Sequence, residues 1–302
     1  MADDHNTVIA SRVRACKLDF ACRIRSLSPM TRPRNLCRIL PLLLVFLCTP
    51  AHAHELWLEP ADYQADSRAP VELSVRNGQD FKGTELSWFD ARIARAATAT
   101  EGQITPYQGR PGDLPAITVA PSDGLTTVIY ASTMSKLTYD SWDLTLSFAR
   151  HKDIPWFQDR HAARGLPEDD VTEGYWRYSK ALIARSPGGA DQDMGMETEF
   201  IALTSPADGG TDMQVRLIYQ GAPRADAQVE VWDKSTTDTD PEVSKTLLRT
   251  DAKGEVTFPV APGRAYMLDA VVLREPASPE AVAAGVMWES LWANLTFVTP
   301  ER

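Results

Sequence analysis

A chain of 302 residues with 43% hydrophobic residues can bury the core of one large or two ordinary domains. Its formal net charge of −10 disfavours nucleic acid and anionic membrane as partners and biases the surface toward cations.

Met30 opens a segment carrying Arg32, Arg34 and Arg38, followed by an apolar run from Ile39 to Cys48 and the small-x-small ending Ala51-His52-Ala53. This layout predicts a secretory signal cut after Ala53, with an apolar run too short to remain as a membrane span. Residues 1–29 are mixed in charge and unpatterned, which points to Met30 as the initiator. Leu47 stands before Cys48 where lipoprotein processing needs a small residue, so a lipid anchor is not expected. Removing residues 1–53 takes all four cysteines and leaves a chain of formal charge −15 that begins at His54. That chain is expected in the periplasm, with no disulfide, no thiol chemistry and no integral membrane segment.

Val71, Leu73 and Val75 alternate with polar residues, the period of a half-buried strand. Glu85–Ile93 and Thr126–Thr133 are the next predicted strands of an N-terminal β domain over 54–138. From Tyr139 the spacing becomes helical: Trp142, Leu146 and Ala149 share one face behind Asp140 or Ser141 as N-cap. A second short helix is predicted over Trp156–Arg164, stopped by Gly165 and Pro167, and Tyr175–Ala184 is compatible with helix or strand. Residues 139–190 therefore read as a helical insertion and linker.

Strands follow at Glu197–Leu203, Met213–Tyr219, Gln228–Trp232, Ser244–Thr250, Glu255–Pro259, Ala265–Leu273 and Leu291–Val298, with a hairpin turn at Asp251–Gly254. The expected fold is mainly β: two β-sandwich units, immunoglobulin- or transthyretin-like, the second covering 191–302, with a short helical insertion between them.

His54 is the sharpest candidate for chemistry. As a first residue, its α-amino group and imidazole Nδ1 can chelate one Ni, Co, Cu or Zn ion. Its alternative is an ordinary residue ahead of an edge strand. His151 and His161 are the other imidazoles after the cut. Their ten-residue separation is no local chelate, and solvated helix faces are the favoured reading for both, though they remain the only imidazoles that could complete a site with His54. Met194 and Met196 would suit Cu(I), with packing as the simpler role. Glu168-Asp169-Asp170 and Asp238 with Asp240 lack the alternating oxygen-ligand spacing of a calcium loop. No nucleophile elbow, metalloprotease helix, phosphate loop or dinucleotide fingerprint occurs, so an enzyme is not expected.

Five phrases stand in order along the chain: His54-Glu-Leu-Trp-Leu-Glu-Pro60, Arg177-Tyr-Ser-Lys-Ala-Leu182, Val215-Arg-Leu-Ile-Tyr-Gln-Gly-Ala-Pro223, Thr250-Asp-Ala-Lys-Gly-Glu-Val-Thr-Phe258 and Trp292-Ala-Asn-Leu-Thr-Phe297. Together they resemble the bacterial domain-of-unknown-function 4198 family. The resemblance implies a periplasmic, β-rich protein related to accessory components of cobalt and nickel uptake, and its second half is similar to transthyretin-like modules. Many members carry Gly-His-x-Phe where this chain has Gly78-Gln79-Asp80-Phe81. A late-strand histidine is also common where Val271-Val272 stands here.

The expected function is binding of a divalent transition metal (Ni, Co or Cu) through His54 with His151 or His161, and its transfer to a membrane metal transporter. The alternative is a metal-free envelope module that binds a protein or glycan.

Overall fold

In the computed structural model the described residues are 54–65 and 69–301; the expected secretory segment and its cut after Ala53 lie outside them. The first part of the chain forms β1 (Glu55–Pro60), β2 (Val71–Gln79), β3 (Lys82–Leu86), β4 (Ile93–Thr100), β5 (Gln103–Pro106), β6 (Ile117–Val119), β7 (Leu125–Ser132) and β8 (Ser135–Thr138). Helices α1 (Trp142–His151) and α2 (Phe157–Ala163) then lead into β9 (Thr172–Ala184). The remainder comprises β10 (Thr198–Ala202), β11 (Asp212–Tyr219), β12 (Ala222–Pro223), β13 (Gln228–Ser235), β14 (Ser244–Arg249), β15 (Glu255–Pro259), β16 (Arg264–Arg274), α3 (Pro279–Ala284) and β17 (Trp288–Val298). The architecture is mainly β-sheet with a minor helical component.

A nine-stranded sheet runs in the order β14-β13-β16-β17-β9-β7-β4-β5, with β8 added alongside β9. Residues 54–138, 139–190 and 191–302 all contribute strands to it. Its central pair, β17 and β9, is parallel, while β16 and β7 flank that pair in antiparallel register. Every residue of β7 and β17 is buried. Strands covered on both faces read as near-continuous runs without alternation. That is why Tyr175–Ala184 carries no clear period, and the structure makes it the end of β9.

Two four-stranded sheets cover the large one, β1-β2-β3 with β6 on β2 and β10-β11-β12 with β15 on β11. Alternate residues of β9 show the layering. Ala181 and Ile183 pack with Leu58, Leu73 and Ile117 of the first small sheet, whereas Leu182 and Ala184 pack with Phe200, Val215 and Phe258 of the second. The helices share the face of the first small sheet, where Phe148 and Phe157 meet Trp288 and Trp292. Full burial of such side chains contributes about 1.5–3 kcal/mol each.

Helix α1 starts as its sequence directs: the Ser141 side chain accepts from the Leu144 amide at 3.3 Å, and Arg150 and His151 sit in the last turn, where cations favour the dipole. Gly165, at φ +65°, follows α2 as the stop. The predicted strand Glu85–Ile93 is corrected. β3 ends at Leu86, Trp88 Nε1 donates to Asp90 Oδ1 at 2.6 Å, and the Arg92 amide closes a helical turn over Asp90–Arg92 on Phe89 O at 2.8 Å before β4 begins. Among the described residues no helix is long and apolar enough to cross a membrane.

Candidate functional site

His54 is exposed and stands immediately before β1, whose next residue, Glu55, is buried. Its carbonyl oxygen accepts a 2.7 Å hydrogen bond from Arg177 Nη2. β1 is fastened over the central strands by Ser179 Oγ, which donates to Leu56 O, and by Thr296 Oγ1, which donates to Leu58 O, both at 2.6 Å. The β1–β2 ladder opens with Glu55 opposite Gly78, so His54 and Gln79 are the residues one step beyond that pair. Gln79, where the chain departs from the Gly-His-x-Phe expected from the resemblance, thus lies across the ladder end from His54.

The other two imidazoles are engaged in the fold. His161 is buried, which corrects the solvated-face alternative for it. Its Nδ1 accepts from Trp288 Nε1 at 3.0 Å and so carries no proton, which leaves Nε2–H to donate to Pro167 O at 3.0 Å. His151 Nε2 lies 2.7 Å from Glu230 Oε1 and 3.2 Å from Lys245 Nζ. An ammonium only donates, so one nitrogen cannot serve both neighbours in a single tautomer. Burial acts to raise the Glu230 carboxyl, but His151 and Lys152 outweigh it and hold the group down at about 2. Glu230 is therefore the acceptor, His151 Nε2–H its donor, and Lys245 is drawn to Glu230 Oε1 at 3.3 Å. Among the described residues no three His, Cys, Asp or Glu side chains form a group able to hold a metal ion. His54, His151 and His161 are accordingly not brought together.

Met194 and Met196 are buried against Val272 and Leu291, and their backbone amides donate to Glu199, so packing accounts for both. Glu168, Asp169 and Asp170 are exposed, as are Asp238 and Asp240.

Beneath β1 lies a polar cluster whose members only the sheet register brings together. Lys152, at the C-terminal end of α1, is buried and bonded to Glu230, with Asp269 at 3.4 Å and Glu55 at 3.7 Å. The sheet register assembles it: Glu230 of β13 pairs with Asp269 of β16, which pairs with Asn294 of β17. Ladder partners project to the same face. The Trp292 ring forms the floor, with Lys152 Nζ 4.6 Å and the Arg177 guanidinium 3.9 Å from its centroid, a cation–π arrangement for both.

Burial pushes the Glu55 carboxyl up to about 7, with Lys152 opposing and Asp269 and Glu230 adding to the rise. Burial also raises Asp269. For Lys152 burial acts downward, but the surrounding carboxylates win and its pKa is raised. One ammonium thus faces Glu230 as a firm carboxylate and two carboxyls that resist ionising. Glu55 Oε2, Asp269 Oδ1 and both polar atoms of the Asn294 amide have no hydrogen-bond partner. A sequence signal for this cluster does exist: Glu230, Asp269 and Asn294 each interrupt an apolar strand core.

The family model described as Domain of unknown function (DUF4198) matches residues 51–274 of the chain. No curated protein matches it.

Proposed function

We propose that this chain, which belongs to the DUF4198 family, binds a divalent transition metal outside the cytoplasm and hands it to a membrane transporter. The observation that carries the reading is the placement of His54. Its imidazole is exposed, its backbone is held by Arg177, and it is the residue that cleavage after Ala53 would make the first of the chain.

The α-amino nitrogen and imidazole Nδ1 of an N-terminal histidine close one chelate ring, and nitrogen donors of this kind suit Ni, Co or Cu. His151 and His161 are committed to Glu230, Trp288 and Pro167, so the site rests on His54 rather than on three imidazoles. A two-donor chelate leaves coordination positions for water or for a receiving protein, which suits capture and transfer more than storage. The role is binding rather than turnover, and the proposed address is the periplasm.

The test begins with export through the native leader and sequencing of the N-terminus, expected to start at His54. The purified protein and a form extended by one N-terminal alanine are then titrated calorimetrically with Ni, Co, Cu and Zn. One ion per chain, lost on extension, is the expected result. Equal binding by both forms sinks the assignment to His54. Binding by neither leaves the metal-free envelope module as the account of this fold.

A further inference from the structure

Between the nine-stranded sheet and the edge of the β1-β2-β3 sheet is a cavity of about 460 Å³ whose lining includes Arg92, Lys136, Arg177, Tyr130, Ser132 and Ser135. No acidic side chain lines it among the described residues, although acidic residues outnumber basic ones 41 to 31 in the chain. The three cations come from different elements: Arg92 from the turn before β4, Lys136 from β8 and Arg177 from β9. Arg92 and Lys136 are exposed, and Arg177 is 5% exposed.

Arg177 is the unusual member. Its guanidinium carbon sits 4.5 Å from the Tyr175 ring centroid and 3.9 Å from that of Trp292. Nη2 donates to His54 O, and Nη1 is buried without a hydrogen-bond partner. No carboxylate lies within ion-pair distance of it among the described residues. Burial pushes its pKa down, while Asp269, Glu173 and Glu55 attract it from farther away. A desolvated cation without a direct counter-ion is costly unless something completes it. The planar fork of arginine is shaped for a carboxylate. The hydroxyl of Ser132 adds a donor close by, since its oxygen accepts from the Arg177 amide at 2.9 Å and its own hydrogen remains available.

We propose that this cavity binds a small organic anion bearing two or more carboxylates, with Arg177 receiving one carboxylate at the floor and Arg92 and Lys136 holding the others at the mouth. Cations spread over three elements suit a ligand charged at more than one end, and the volume falls within the range of small-molecule sites, about 300–1,000 Å³. This site shares Arg177 with the backbone anchor of His54 but uses neither of the proposed metal donors, and it stands without the chelate.

The probes are citrate and succinate, with acetate and inorganic phosphate as comparisons, titrated calorimetrically into metal-free protein. The expected result is one citrate or succinate per chain, with acetate and phosphate at least tenfold weaker. The double variant Arg92→Gln/Lys136→Gln changes only exposed side chains and should keep its melting temperature while losing at least tenfold in citrate affinity. Arg177→Gln should abolish the rise in melting temperature that citrate gives the unaltered protein. Citrate should also bind the alanine-extended form equally well, which separates this site from any metal at His54. The proposal is overturned if millimolar citrate and succinate do not bind, if phosphate binds more tightly than either, or if the double variant binds unchanged. Citrate binding that appears only with Ni present assigns the anion to the metal and overturns it too.

Discussion

Arg177 Nη2 donates to the carbonyl oxygen of His54 at 2.7 Å, and the same guanidinium stacks 3.9 Å from the Trp292 centroid. The residue proposed to take the metal is thus anchored by its backbone to the central sheet, with its imidazole left exposed. Arg177→Lys keeps the charge but loses the fork and the planar stack. The variant is expected to lose about 1–3 kcal/mol in chemical denaturation, as for a hydrogen bond to a charged group. It should also weaken metal binding several-fold in calorimetry without touching a ligand atom. Unchanged metal affinity would show that the anchor does not matter to the chelate.

Glu55 supplies a pH dependence with a definite sign. Its carboxyl, 4.5 when free, is pushed up to about 7 by burial, against the pull of Lys152. The native state therefore keeps this proton where the unfolded chain has released it. The associated stability is fully present below the unfolded value and is lost as pH rises through about 7. Glu55→Gln removes the titration, so its stability relative to the unaltered protein should improve by about 2 kcal/mol between pH 5 and pH 8. Urea midpoints of both proteins at pH 5, 6.5 and 8 measure this, and parallel curves would contradict it.

Lys152 balances the carboxyl cluster. Replacing it with methionine leaves Glu230 Oε2 buried without its ammonium partner, a change that costs about 3–5 kcal/mol at pH 8. The loss should shrink at pH 5, where Glu55, pushed up to about 7 by burial, takes up its proton. Denaturation at the two pH values checks the difference. A loss independent of pH would mean that the carboxyls do not respond to Lys152.

His161 tests the division between fold and site. His161→Phe leaves the Trp288 indole N–H and the Pro167 carbonyl without their partner, and the expected destabilisation is about 1–3 kcal/mol. The number of metal ions bound per chain should not change. A lost metal ion would return His161 to the ligand set.

Gln79 lies one step beyond the ladder pair Glu55–Gly78, across from His54. Gln79→His gives the Gly-His-x-Phe pattern expected from the resemblance and adds a nitrogen donor beside the proposed chelate. Nickel affinity is expected to rise at least tenfold in the native-start protein, read by competition with a chromophoric chelator. No gain would place position 79 outside the coordination sphere.

Much of the sheet was legible because one-sided burial writes a period into the chain. Val71, Leu73 and Val75 point inward while Glu72 is exposed, as their alternation requires. Helix α1 was equally readable from Trp142, Leu146 and Ala149 behind the Ser141 cap. β9 was not, because opposite faces of one strand pack different layers: Arg177 and Ser179 look toward β1, while Lys180 is buried against Asp191 and Glu199. Glu85–Ile93 misled because its second half folds into a helical turn over Asp90–Arg92, closed by the Arg92 amide on Phe89 O, rather than into a ladder. The candidate site was readable only at His54. His161 carries its role through Trp288, 127 residues away, and such a partner leaves no local spacing. Glu230, Asp269 and Asn294 were visible as polar interruptions of apolar strands, but their convergence depends on register, which pattern alone does not fix.

The central claim is that His54 binds metal through its own α-amino group. Electron paramagnetic resonance of the Cu(II)-loaded protein tests it most directly, comparing the form that starts at His54 with the form extended by one alanine. The account predicts coupling to both the α-amino and imidazole nitrogens in the first, and a changed nitrogen set with weaker binding in the second. Identical spectra and affinities in the two forms would contradict it.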